Sequence, residues 1–206
     1  MSWDRGPSIL LVPYVPFENF DEPVPEAEAP SEDILLDTES MTWKVYEGKR
    51  FVVHAAPLKH RNVRCIGYVV RERNTKSAKG RKVVILGDTT DPSAILNLAH
   101  QTDYLVHEAT FHDDFGIKAV EYGHSTAGMA GAFAKRVEAK NLIITHFSSR
   151  HMASDLADTP VADNFEWVEH TATLQLVAEA QLTFGSDAVV PARDFLTIDI
   201  RPHVKP

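Results

Sequence analysis

The sequence predicts an α/β layered fold, and two observations carry that reading. From Val83 onward, short β-type apolar runs alternate with stretches whose apolar residues recur at helical spacing. The 206 residues are 44% hydrophobic, enough for one substantial core, so a single domain is expected.

Residues 1–33 stand apart. Eight acidic residues from Asp4 to Asp33 are interleaved with Pro7, Pro13, Pro16, Pro23, Pro25 and Pro30. Proline at this density interrupts helix and central strand alike, so an extended, partly disordered leader is expected. From Asp33 the pattern turns to β. Ile34–Leu36, Thr42–Tyr46 and Phe51–Ala55 are short runs split by turn residues such as Glu47-Gly48. Cys65–Val70 is a continuous apolar strand, and Lys82–Leu86 is another that stops at Gly87-Asp88. A helix begins at Asp91-Pro92-Ser93, with Ala94, Ile95, Leu98 and Ala99 on one face. Tyr104–His107 and Leu142–Thr145 read as buried strands. Between them Ser125 is expected to cap a helix whose inner face holds Met129, Ala130, Phe133, Ala134 and Val137. A further helix runs from about Asp163 to Ala180, and Asp194–Ile200 alternates like a strand.

Composition narrows the chemistry. Cys65 is the single cysteine, so the chain has no internal disulfide and no multi-cysteine metal knot. Metal ligands would have to come from Asp, Glu and the ten histidines. No stretch is long and apolar enough to span a bilayer, and Met1–Pro7 does not read as a signal peptide. An intracellular site, cytosol or nucleus, is the expectation. Net charge is −8, yet Lys59–Lys82 carries nine Lys and Arg against Glu72 alone. Such a segment can attract a phosphate backbone, or it can be a solvated hairpin tip.

Four phrases place a carboxylate or imidazole near an apolar run or helix start. They are Leu86-Gly87-Asp88-Thr89, His107-Glu108-Ala109-Thr110-Phe111, Gly123-His124-Ser125-Thr126 and Thr145-His146-Phe147-Ser148-Ser149-Arg150. A carboxylate at a strand end, after a glycine that allows a tight turn, can bridge cations; alone, Gly-Asp-Thr also suits a turn or cap. An imidazole there is a good zinc ligand when its other nitrogen is fixed by an acceptor. His124, at a predicted helix start, would stand among free amides where a phosphate can settle, or would be incidental to a cap. Cleavage of a phosphodiester needs a proton for the departing oxygen, which a histidine steadied by Glu108 can deliver.

Together with Ile34-Leu35-Leu36-Asp37, Phe51-Val52-Val53, His60 before Gly67-Tyr68, and Phe195-Leu196, these phrases resemble the C-terminal half of short-form RNase Z. That is the zinc endoribonuclease that trims the 3′ trailer of precursor tRNA. The resemblance implies a partial metallo-β-lactamase αββα sandwich over residues 34–206. It implies His60, Asp88 and His146 as zinc ligands, with two zinc ions per site in the family. It assigns His124 and Glu108 to the leaving group and Ser125, Thr126 and Arg150 to the substrate, while Arg71, Arg73, Lys76 and Lys79 of the basic segment are expected to touch its phosphates by charge. The family's His-x-His-x-Asp-His cluster has no counterpart in residues 1–59, where His54 is the single histidine. Its long tRNA-gripping arm is reduced here to Arg71–Arg81. An incomplete zinc shell follows, with a homodimer or a complementing chain as the expected partner besides precursor tRNA. The alternative is a non-catalytic relative that binds tRNA or dimerises. Of the other histidines, His107 is the one expected to support the site; His54, His100, His112, His151, His170 and His203 read as structural or surface positions.

Overall fold

The alternating and continuous apolar runs become strands of one mixed sheet. A computed structural model describes residues 34–148 and 171–204. In chain order the strands are β1 (Leu36–Asp37), β2 (Thr42–Glu47), β3 (Phe51–His60), β4 (Val63–Glu72) and β5 (Ala78–Lys79). They continue with β6 (Lys82–Ile85), β7 (Tyr104–Glu108), β8 (Leu142–Thr145), β9 (Val189–Pro191) and β10 (His203–Val204). The helices are α1 (Leu96–Ala99), α2 (Gly116–Tyr122), α3 (Ala127–Arg136) and α4 (Thr171–Phe184). Short 3-10 turns at Ser93–Ile95 and Asp113–Phe115 lead into α1 and α2.

The main sheet has the order β1-β2-β3-β4-β6-β7-β8-β9, and β5 pairs β10 separately. The first half is antiparallel, built on the long β3–β4 hairpin in which Phe51 faces Glu72 and His60 faces Val63. From β6 to β9 the strands are parallel. Their C-terminal ends therefore lie along one edge, the usual position for a ligand in an α/β sheet.

Period-two patterning decides which face is covered. Val69, Val84, Leu105, Leu142 and Ile144 form one core with Ala130, Phe133 and Ala134 of α3 and Leu176, Ala180 and Phe184 of α4. Each buried Val, Leu, Ile or Phe of this set contributes roughly 1.5–3 kcal/mol and each Ala less. The close approach of α3 to α4 requires Gly131, because a Cβ there would lie 2.2 Å from the Ala180 carbonyl oxygen. The alternate row, Tyr68, Ile85, Val106, Ile143 and Val190, is joined in register across five strands, and Ile85 stays 45% exposed. No helix among the described residues is long and apolar enough to cross a membrane.

Several expected elements differ. Thr126, not Ser125, caps α3: its hydroxyl accepts from Met129 N at 3.2 Å. Ser125 Oγ instead donates to the Thr89 carbonyl at 2.6 Å. Asp194–Ile200 alternates but forms no strand, since β9 already holds the sheet edge beside β8 and Pro191 ends it without an N–H to offer. The helix expected from Asp163 begins, among the described residues, at Thr171 and runs on to Phe184. The leader read into residues 1–33 lies outside the described residues. The short α2, β9 and the β5–β10 pair had no counterpart in the sequence reading.

The basic segment is divided by the fold. β4 spans ten residues, roughly 30 Å of strand. Lys59, Arg61 and Arg64 lie at the hairpin end with His60, while Arg71, Arg73, Lys76 and Lys79 lie at the other. Some of these charges are already matched. Arg73 pairs with Glu47 at 2.6 Å and Arg81 with Glu72 at 2.8 Å. The Arg81 hydrogen bond holds the Glu72 carboxyl down at about 2. Lys82 donates to the carbonyls of Leu98 and His100.

Candidate metal centre

Apolar strands β6, β7 and β8 deliver Asp88, Glu108 and His146 to one edge, because each run ends within three residues of its polar group. His60 arrives at the same edge from the tip of the β3–β4 hairpin. His124 arrives from the loop between α2 and α3, one residue past Gly123. That glycine is the left-handed C-cap of α2, with φ of 79°. Ligand atoms of His60, Asp88 and His124 lie within 4.8 Å of one another, as do those of Glu108, His124 and His146. The His124 ring lies 4.8 Å from that of His60 and 5.3 Å from that of His146. His146 Nδ1 is 3.6 Å from an Asp88 oxygen.

Hydrogen bonds assign the proton on each ring. His60 Nδ1 is 2.8 Å from the Gly123 carbonyl, which can only accept, so Nδ1 carries hydrogen and Nε2 is left bare. Glu108 is 1% exposed, and its carboxylate is met by three donors. One oxygen accepts from the Thr89 N–H at 2.6 Å and from His124 Nδ1 at 3.0 Å. The other accepts from the Thr110 hydroxyl. With its own hydrogen directed at Glu108, Thr110 Oγ1 accepts from His146 Nδ1 at 2.8 Å. All three imidazoles thus direct Nδ1–H at a protein acceptor. His146 holds this position with a φ of 60°, a left-handed backbone that costs a non-glycine residue about 1–3 kcal/mol.

Two imidazole nitrogens with fixed tautomers and one carboxylate form a donor set suited to zinc. The structure groups His60 and Asp88 with His124, and His146 with His124 and Glu108, so the three expected ligands are divided between two adjoining groups that share His124. Carbonyl-anchored and hydroxyl-anchored Nδ1–H groups are the outer partners that metal-binding histidines ordinarily have.

Other expected residues behave differently. Ser125 is 1% exposed and Thr126 is 3% exposed, with both hydroxyls used inside the fold. The first amides of α3 are also committed: Ala127 N to Phe111 O, Gly128 N to Asp113 Oδ1, Met129 N to Thr126 Oγ1. The expectation of free amides for a phosphate beside His124 is therefore corrected. Ser125 and Thr126 fix the loop that carries His124 rather than meeting a substrate. Arg71, Lys76 and Lys79 are exposed, but they stand a strand's length from His60. Arg150 lies outside the described residues.

His107 does not support the centre through its ring. Nδ1 bonds the Glu108 carbonyl at 2.7 Å, the ring packs on Phe133, and Nε2 is buried without a hydrogen-bond partner among the described residues. Burial lowers its pKa, which favours the neutral ring. The residue the sequence reading missed is Thr110. Its place two residues after Glu108 was the available signal, since both reach one side of the strand end.

A family model described as a beta-lactamase superfamily domain matches residues 21–147. Zinc phosphodiesterase ELAC protein 1 of Bos taurus is 30% identical over 96% of this chain and 64% of its own. A ribonuclease Z of Listeria welshimeri is 49% identical over a shorter stretch, 35% of this chain and 24% of its own. The crystal structure of human tRNase Z, short form, superposes with a TM-score of 0.60 at 32% identity, covering 83% of this chain and 51% of that one. The chain thus spans between half and two thirds of the length of these full-chain matches.

Proposed function

The chain belongs to the beta-lactamase superfamily, and from that premise we propose that it forms part of an RNase Z-type zinc endoribonuclease acting on the 3′ trailer of precursor tRNA. The observation that carries the proposal is the pair of adjoining ligand groups, His60, Asp88 and His124 in one and Glu108, His124 and His146 in the other, joined through His124 and the buried Glu108. Similarity to zinc phosphodiesterases and a tRNase Z supports the substrate class.

His60, Asp88 and His146 would hold the metal, which when bound polarises a phosphate and supplies a nucleophile near neutral pH. Glu108 and the Thr89 amide keep the His124 ring oriented, so its Nε2 faces the place where a phosphodiester would sit. In the doubly protonated ring Nδ1–H stays on Glu108 while the second proton, on Nε2, would pass to the departing 3′ oxygen and leave the ring neutral. The Thr126 cap and the Ser125 hydroxyl hold this loop while that transfer takes place.

Three ligands are fewer than the four donors that each zinc ion takes, and residues 1–59 contain His54 as their single histidine. The remaining ligands are proposed to come from a complementing chain or a second copy. The same shortage favours a second reading, a non-catalytic relative that binds tRNA or dimerises. A cleavage assay on 3′-extended precursor tRNA separates the two, with zinc content measured in parallel. The catalytic reading expects trailer release in zinc, with a complementing partner where the chain alone is silent, and its loss in His124→Ala at unchanged zinc content. Cleavage that survives His124→Ala removes the proton-donor role. Two zinc equivalents on the isolated chain contradict the incomplete shell.

A further inference from the structure

Arg61 stands one residue past His60 at the hairpin tip, in the left-handed region with φ of 47°. A Cβ on Gly123 would lie 2.5 Å from Arg61 Cγ, 2.7 Å from Arg61 N and 3.0 Å from His60 Nδ1. The hairpin tip and the loop before His124 are therefore in direct backbone approach. Arg61 is held to the same support as His60 and does not swing independently at its Cα.

The Arg61 side chain lies beside the centre, one residue past His60, and meets no counter-charge among the described residues. Its guanidinium sits over the ring of Tyr122, 5.6 Å from the centroid. Among the described residues no ion pair engages it, whereas Arg73 and Arg81 are neutralised by Glu47 and Glu72. Tyr122, 46% exposed, stacks on Phe111 at 6.4 Å, and Phe111 lies 6.2 Å from the ring of His124. An aromatic path thus runs outward from His124 and ends under the Arg61 guanidinium.

A flat π surface beside a planar cation suits a ligand that is both flat and anionic. Unpaired nucleotides are bound in this way: bases stack on aromatic rings or guanidinium planes, and the phosphate meets the charge. A folded duplex does not present free base faces to such a surface. We propose that Arg61 and Tyr122 form a platform for one unpaired ribonucleotide flanking the scissile phosphate. The platform rests on the RNA reading given above and extends it to a specific single-stranded contact. It takes any base, because every base has a π face.

The test is fluorescence anisotropy with the full chain, without added metal, using a fluorescein-labelled single-stranded oligoribonucleotide and the same oligomer annealed as a duplex. Tyr122→Leu keeps apolar bulk against Phe111 and removes the ring. It is expected to weaken single-strand binding about fivefold or more while leaving the salt dependence unchanged. Arg61→Ala is expected to weaken binding and to reduce the slope of log affinity against log salt by about 0.7. Tyr122→Phe is expected to bind as the parent does. Thermal melts of each variant check that the fold persists. Parent-like single-strand binding by Tyr122→Leu, or an equal loss on the duplex, overturns the platform and leaves the RNA reading intact. No binding of either oligomer by the parent overturns both.

Discussion

Glu108→Gln is the substitution that most directly probes how one buried carboxylate governs two rings. The change is close to isosteric, so packing is kept. As a carboxylate, Glu108 accepts from Thr89 N, His124 Nδ1 and the Thr110 hydroxyl. An amide offers one accepting oxygen and one donating nitrogen. With its oxygen beside Thr89 and His124, the amide NH2 faces Thr110, which must now accept. Thr110 then turns its own proton toward His146 Nδ1, 2.8 Å away. Where Nδ1 takes that proton as acceptor, the ring proton moves to Nε2 and the tautomer available to a metal is exchanged. The flipped amide is worse, because it sets NH2 against the Thr89 N–H at 2.6 Å. Zinc affinity is therefore expected to fall about 10- to 100-fold, the usual range for a lost outer partner of a metal-binding histidine. That corresponds to about 1.4–2.7 kcal/mol. Thermal stability should move much less, since weaker neutral hydrogen bonds are offset by no longer burying a charge. Competition against a chromophoric chelator measures the affinity, and long-range nitrogen–proton NMR reads the His146 tautomer. Unchanged affinity with His146 still protonated on Nδ1 would show that Glu108 does not set that ring.

Two further outcomes are expected. Gly123→Ala places a Cβ against Arg61 N and His60 Nδ1 at a φ of 79°, so unfolding by urea should show a loss of about 1–3 kcal/mol together with weaker zinc binding; a variant as stable as the parent would contradict the close approach. His107 has a pKa lowered by burial, so the unfolded chain takes up its proton first as pH falls, and the stability it confers is present above its unfolded value and declines as pH drops through that value toward the folded one. Urea titrations between about pH 7 and 5 should therefore show a shallower pH dependence in His107→Phe, whereas parallel curves would mean that this ring does not govern the slope.

Much of the sheet edge was legible because strand ends are marked by sequence. Val83–Leu86, Tyr104–His107 and Leu142–Thr145 are apolar runs, and a polar group directly after each had to emerge at an edge. His60 was legible by phrase alone, and its Gly123 partner is 63 residues away, a pairing no local pattern encodes. The same holds for Arg73 and Glu47, which β2–β3–β4 pairing brings together although the sequence shows only a run of like charges. Thr110 escaped because its role depends on which hydrogen its hydroxyl gives and which it takes. Ser125 was misread because Ser and Thr both cap helices, and the choice between neighbours turned on a buried carbonyl at Thr89 that only the fold supplies.

The placement of basic residues at both ends of β4 has a consequence for any polyanion. Ends roughly 30 Å apart cannot be touched together by a mononucleotide or a short oligomer. A longer strand or a folded RNA that reaches both is held as a two-point ligand. Its second contact forms at high effective concentration, so the two affinities multiply rather than add. Binding strength then depends on the distance the ligand spans more than on its charge density. For such a ligand the strand would set the span, with Arg61 and His60 at one end and Lys76 and Lys79 at the other.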